Sequence, residues 1–154
     1  MARDLSDATP EQLAVIRNRV EIDPSISNRV EIVLKYKDQF GRKSITAWDY
    51  SRYISLCGWG YIAGYLTENE AWERIMPAAR LMQKSFTSWE DMGTNHVVGR
   101  EFWSLKQTLK NGDRTRRCFE RLKADPGSPW KRLDWTMNLV APETVKTKPS
   151  EDTR

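Results

Sequence analysis

Residues 67–82 read T-E-N-E-A-W-E-R-I-M-P-A-A-R-L-M, and this stretch decides the fold. Thr67 followed by Glu70 is a capping box: each side chain can satisfy a backbone N–H that the first helical turn leaves without a partner. Beyond it Trp72, Ile75, Met76, Ala79 and Met82 recur at steps of three and four, an apolar stripe along one side of a helix. Pro77 falls inside that stripe. It has no N–H and its ring crowds the preceding turn, so it predicts a kink or a split near Ile75.

The same pattern repeats on both sides. Thr9-Pro10-Glu11-Gln12 joins an N-cap, a proline in the first turn and a capping glutamine, with Leu13, Val15, Ile16 and Val20 following. Asp23-Pro24 opens a second helix that carries Val30, Val33 and Leu34 and ends near Phe40-Gly41. Its run E-I-V-L-K-Y-K alternates too poorly for a strand. A third helix is expected from Thr46 to about Leu56. Thr87-Ser88-Trp89-Glu90 reads as another capping box, opening a helix through Val97, Val98 and Phe102 to Leu105. Asn111-Gly112-Asp113 is a turn and cap before a basic helix with Cys118, Phe119 and Leu122. After D-P-G-S-P-W, the residues Trp130, Leu133, Trp135 and Leu139 are expected to lie back over the core. From Pro142 the chain is polar and rich in Pro, Lys and Glu. The expectation is an all-α single domain, residues 1–141, of about six helices with a Trp-rich core, and a disordered tail at 142–154.

Composition agrees with a soluble globular protein: 154 residues, 39% hydrophobic, 30% charged, seven tryptophans. No apolar run reaches the roughly 20 residues of a membrane span, and M-A-R-D-L-S-D lacks a signal-peptide pattern. Cys57 and Cys118 read as small buried hydrophobes, and the expected location is the cytoplasm. Charge is uneven. From Leu105 to Arg132 nine basic and three acidic residues give +6, whereas Tyr65 to Ser104 carries −2. Lys106, Lys110, Arg114, Arg116, Arg117, Arg121 and Lys123 are therefore candidates for partner binding, either to an acidic protein surface or to a nucleic acid. A solvated helix face explains the same charges.

Three local patterns bear on chemistry. G-W-G-Y-I-A-G at 58–64 has the glycines of a phosphate loop but not its context, since a helix rather than a strand leads into it and no Lys-Ser/Thr pair follows. It reads as a corner, with Gly58 and Gly60 ending the third helix and Gly64 at positive φ. W-D-x-x-R places Trp48, Arg52 and Leu56 on one stripe, with Asp49 in pairing reach of Arg52. A cation on a buried stripe needs a partner, so Asp49, Arg52 and Arg100 form either an internal ion-pair network, joined through Glu101 or Glu90, or a polar ligand pocket. The single histidine, His96, leaves little for a catalytic triad. No CxxC, HExxH or G-x-S-x-G occurs, so no metal or cofactor is expected.

The segments A-W-D-Y-S-R, G-Y-I-A-G-Y-L-T-E-N-E-A-W, F-T-S-W-E-D-M, V-V-G-R-E-F-W and S-P-W-K-R-L-D-W together resemble the bacterial domain-of-unknown-function family 1266 over residues 45–139. Trp48, Asp49, Arg52, Gly60, Gly64, Tyr65, Trp72, Ser88, Trp89, Gly99, Arg100 and Trp103 match its recurrent positions. The resemblance implies a helical fold and a bacterial origin, and assigns no catalytic residue. The reading carried forward is a non-enzymatic protein-binding domain, an immunity-type antagonist that occludes a cognate toxin or effector through its basic face and the aromatics near the corner. A nucleic-acid-binding protein using residues 105–132, and a small-ligand sensor or enzyme centred on Asp49, Arg52 and Arg100, are the alternatives.

Overall fold

A computed structural model describes residues 8–19, 24–104 and 113–139. Six helices of ten or more residues account for most of these: α1 (Pro10–Arg19), α2 (Pro24–Phe40), α3 (Thr46–Ile62), α4 (Glu68–Ser85), α5 (Trp89–Trp103) and α6 (Arg114–Ala124). A 3-10 turn at Gly41–Lys43 and the single-turn helix α7 (Pro129–Arg132) complete the order. The described residues contain no strand. The expected tail at 142–154, together with Lys106 and Lys110, lies outside the described residues.

The capping signals act as their chemistry requires. Thr67 and Glu70 form the reciprocal box at the start of α4, and Thr9 and Gln12 do the same before α1, with the Thr9 N–H donating to Gln12 Oε1 at 2.9 Å. At α5 the box is displaced by one residue from its expected place. Ser88 is the N-cap and accepts from the Asp91 N–H, while the Asp91 carboxylate accepts from the Thr87 N–H at 3.0 Å. Asp113 caps α6 from a left-handed conformation at φ 55. Pro77 neither splits nor ends α4, which is one helix from Glu68 to Ser85.

The 58–64 corner also differs from its expectation. Gly58 and Gly60 lie inside α3, which continues to Ile62. The turn proper is Ala63–Leu66, where Gly64 takes φ 78 and the N–H groups of Tyr65 and Leu66 both donate to the Gly60 carbonyl. Helix α3 therefore extends well past the point where the core ends.

Helix α5 is the centre of the packing, against α2, α3 and α6 in turn. Gly93, Asn95, Val97, Val98, Gly99 and Phe102 are all buried along it. Two glycines make the close approaches possible. A Cβ on Gly99 would stand 2.3 Å from the Trp48 Cβ of α3, and one on Gly93 would stand 2.3 Å from the Trp130 ring. On α3 the core side is carried by the small residues Ala47 and Cys57. One buried cluster joins Val33 and Phe102, with Ile16 of α1 against it; another joins Ala47, Met82 and Phe86. The C-terminal segment does lie back over the second cluster. Trp135 packs on it, its indole N–H donates to the Phe86 carbonyl, and Gln83 donates to the carbonyls of Trp135 and Met137.

Asn95 ties the centre to the start of α3. Ile45 occupies the N-cap position and offers no side-chain oxygen. The fully buried Asn95 supplies one instead: its Oδ1 accepts the Ala47 N–H at 2.9 Å, and its Nδ2 donates to the Ser44 carbonyl at 2.7 Å. Helix α3 is thus capped from a neighbouring helix, next to Ser44 at the unusual φ of 49.

Candidate functional site

The W-D-x-x-R stripe does not face the core. Asp49, Arg52 and Leu56 are exposed, and only Trp48 is half-buried. The expected buried ion pair is absent: Asp49 feels the Arg52 charge but lies beyond salt-bridge distance among the described residues. Partial burial of its carboxyl raises the Asp49 pKa, and Arg52 pulls it partly back. Glu101 pairs with Arg116, and Glu90 with Lys123 at 2.6 Å.

Both arginines lie against the same two indoles. The Arg52 guanidinium lies 5.3 Å from the Trp48 ring centre and 5.1 Å from that of Trp103, and the Arg100 guanidinium lies 5.6 and 6.0 Å from the same rings. Indole faces carry negative quadrupole density, so two cations and two indoles pack where two bare guanidiniums would repel. The structure therefore brings Arg52 and Arg100 together, as the sequence suggested, but through Trp48 and Trp103 rather than through Asp49. The Trp48 indole N–H is buried there with no hydrogen-bond acceptor among the described residues.

His96 adjoins this cluster and was not expected to. Its ring stacks edge-on to Trp48 at 5.0 Å, and its Nδ1 lies 2.7 Å from the Ser51 hydroxyl oxygen. Burial lowers the His96 pKa, a backbone contact with Ala47 opposes this, and the Arg100 charge lowers it further. The ring is consequently neutral at neutral pH. Ser51 Oγ also lies 3.2 Å from the Trp48 carbonyl, so its hydroxyl stands between that carbonyl and Nδ1. A Ser51–His96 contact at i and i+45 has no local sequence signal, and only the α3–α5 packing creates it.

Two hollows flank His96. One, between α3 and α5, has a volume of about 150 Å³ and is lined by Ser51, Arg52, Ser55, Leu56, Trp59 and His96. The other, about 230 Å³, lies between α5, α6 and α7, with Gly93, Phe119 and Trp130 on its walls. Cys118, expected to be buried, is exposed beside the second, while Cys57 is buried as expected. The basic residues of α6 divide. Arg116 reaches Asp113 and Glu101, and the hydrogen bond to Glu101 raises its pKa. Lys123 is held by Glu90, and Arg114, Arg117 and Arg121 are exposed. No group of three potential metal ligands occurs among the described residues.

Residues 1–135 fit a family described as protein of unknown function, DUF1266. The chain belongs to this family. No curated protein and no solved structure shows significant similarity to it. The family match takes in α1 and α2 as well as residues 45–135 of the segment that carries the resemblance. No helix among the described residues is long and apolar enough to cross a membrane.

Proposed function

We propose that this DUF1266 protein acts by binding another protein, as an antagonist of the immunity type that occludes a cognate toxin or effector. The observation that carries the reading is the C-terminal half of α3 and its corner. Tyr53, Leu56, Trp59, Tyr61 and Ile62 are all exposed there, Trp59 at 63% and Ile62 at 80%, and Tyr65 stands 85% exposed in the turn beyond them. Helix α3 carries these rings past the end of the core on a rigid rod. Large aromatic side chains that lose few rotor states on contact are the commonest anchors of protein interfaces, and a contiguous exposed group of them is unusual on a surface with no partner. The basic face of α6 supports the reading less, because Arg116 and Lys123 are engaged by carboxylates of this same chain.

The test is co-purification with the products of neighbouring genes, using the natural chain and the double variant Trp59→Ala, Tyr65→Ala. Both side chains are exposed, so the variant keeps its fold. Capture by the natural chain and loss of at least tenfold in affinity with the variant support the reading. Binding that the variant leaves intact removes it.

A further inference from the structure

We propose that the hollow between α3 and α5 is a binding site for a small organic acid: a flat aromatic or apolar body bearing one carboxylate and, beside it, a hydroxyl or amino donor. This goes beyond protein binding, since its anchor is Arg52 rather than the rings of the corner. The hollow, at about 150 Å³, has the volume of a cavity that admits a single benzene-sized ring. Five of its lining residues share one side of α3, and His96 closes it from α5.

Arg52 has the properties of an anion anchor. It makes no hydrogen bond or ion pair with any described residue, yet Trp48 and Trp103 hold its guanidinium from two sides. Its five N–H donors are thus preoriented and, within the protein, uncommitted, an arrangement suited to the two parallel bonds a carboxylate accepts. The Asp49 carboxylate lies near enough to feel the Arg52 charge. That neighbour favours a monoanion over a doubly charged phosphate, which it would repel more strongly.

The hydroxyls set the second requirement. Ser55 Oγ donates to the Ser51 carbonyl at 2.9 Å and Ser51 Oγ is engaged by the Trp48 carbonyl and His96 Nδ1, so lone pairs of these oxygens remain for the hollow. They suit a donor on the ligand. Leu56, 58% exposed, and Trp59 form the apolar rim against which a flat body would stack.

Titration followed by amide chemical shifts of the labelled protein tests this with three probes: 3-phenyllactate, 3-phenylpropionate, which lacks the hydroxyl, and 2-phenylethanol, which lacks the carboxylate. The expected result is saturable shifts confined to residues 51–59 and His96, tightest for phenyllactate, weaker by a few-fold for phenylpropionate and absent for the alcohol. Arg52→Gln, at an exposed position, should weaken phenyllactate binding about tenfold or more, and Arg52→Lys should restore only part of it. Equal binding of the alcohol, shifts centred elsewhere, unchanged affinity in Arg52→Gln, or no saturable shift for any probe at millimolar concentration would each overturn the proposal. The partner-capture experiment is unaffected by any of these outcomes, because it turns on Trp59 and Tyr65 together.

Discussion

Replacing Gly99 with alanine probes the contact on which the Trp–Arg cluster rests. Alanine is the better helix former in a helix interior by about 0.5–1 kcal/mol, so propensity alone predicts a more stable protein. Packing predicts the reverse. The new Cβ would meet the Trp48 Cβ at 2.3 Å and the Ile45 Cβ at 3.1 Å. Carbon atoms sit comfortably at about 3.5–4.0 Å, and a Cβ cannot rotate away as the end of a long side chain can. Helices α3 and α5 must therefore separate by roughly 1 Å, an overpacking strain of about 1–3 kcal/mol. The net is a loss of about 1–2 kcal/mol, or a melting temperature lower by about 2–8 °C. Gly58→Ala is the internal control: it lies in α3 with nothing within 4 Å of its Cβ position, so it should gain about 0.5–1 kcal/mol. Urea unfolding followed by helical circular dichroism gives both values. Gly99→Ala at or above natural stability, or Gly58→Ala as damaging as Gly99→Ala, would refute the reasoning.

Asn95→Ala should lose about 2–4 kcal/mol in the same assay, because the Ala47 N–H and Ser44 carbonyl are both left without their partner in the interior; a loss under about 1 kcal/mol would deny the cap in trans. Acidification tests His96. Burial holds its folded pKa below the ordinary imidazole value of 6.5, so the unfolded chain takes up the proton first. Stability is full above about pH 6.5 and declines as pH falls toward the folded value, with Trp48 and Ser51 of α3 and Arg100 of α5 as the groups facing the ring. His96→Gln should flatten the urea midpoint between about pH 7 and 5, and an unchanged slope would contradict the assignment. Charge reversal at Arg114 and Arg121 should leave partner affinity within about twofold if the α3 face is the interface; a larger loss would move the interface to α6.

The helices were legible in the sequence because their signals are local. The boxes at Thr9–Gln12 and Thr67–Glu70 and the αL glycine at Gly64 each depend on residues a few positions apart. Where local signals compete, boundaries slip: Ser88–Asp91 displaced the expected Thr87–Glu90 pair, and Gly58 and Gly60 proved compatible with helix interior. The site was legible only as a set of residues. Arg52 and Arg100 were singled out from helical spacing, but that spacing also suggested burial and a carboxylate partner. Which side of α3 meets the core is decided by long-range packing, by Gly99 admitting Trp48 and by Asn95 fixing the start of the helix. Ser51 and His96 went unnoticed for the same reason, since neither is unusual until α5 brings them to 2.7 Å.

The most direct test of the central claim is the affinity of the purified protein for a partner captured with it, measured by calorimetry for the natural chain and for Trp59→Ala, Tyr65→Ala with equal helicity. The account predicts a defined complex whose affinity falls at least about tenfold in the variant. Equal affinity for both proteins would show that the exposed aromatic side of α3 is not the interface and would contradict the account.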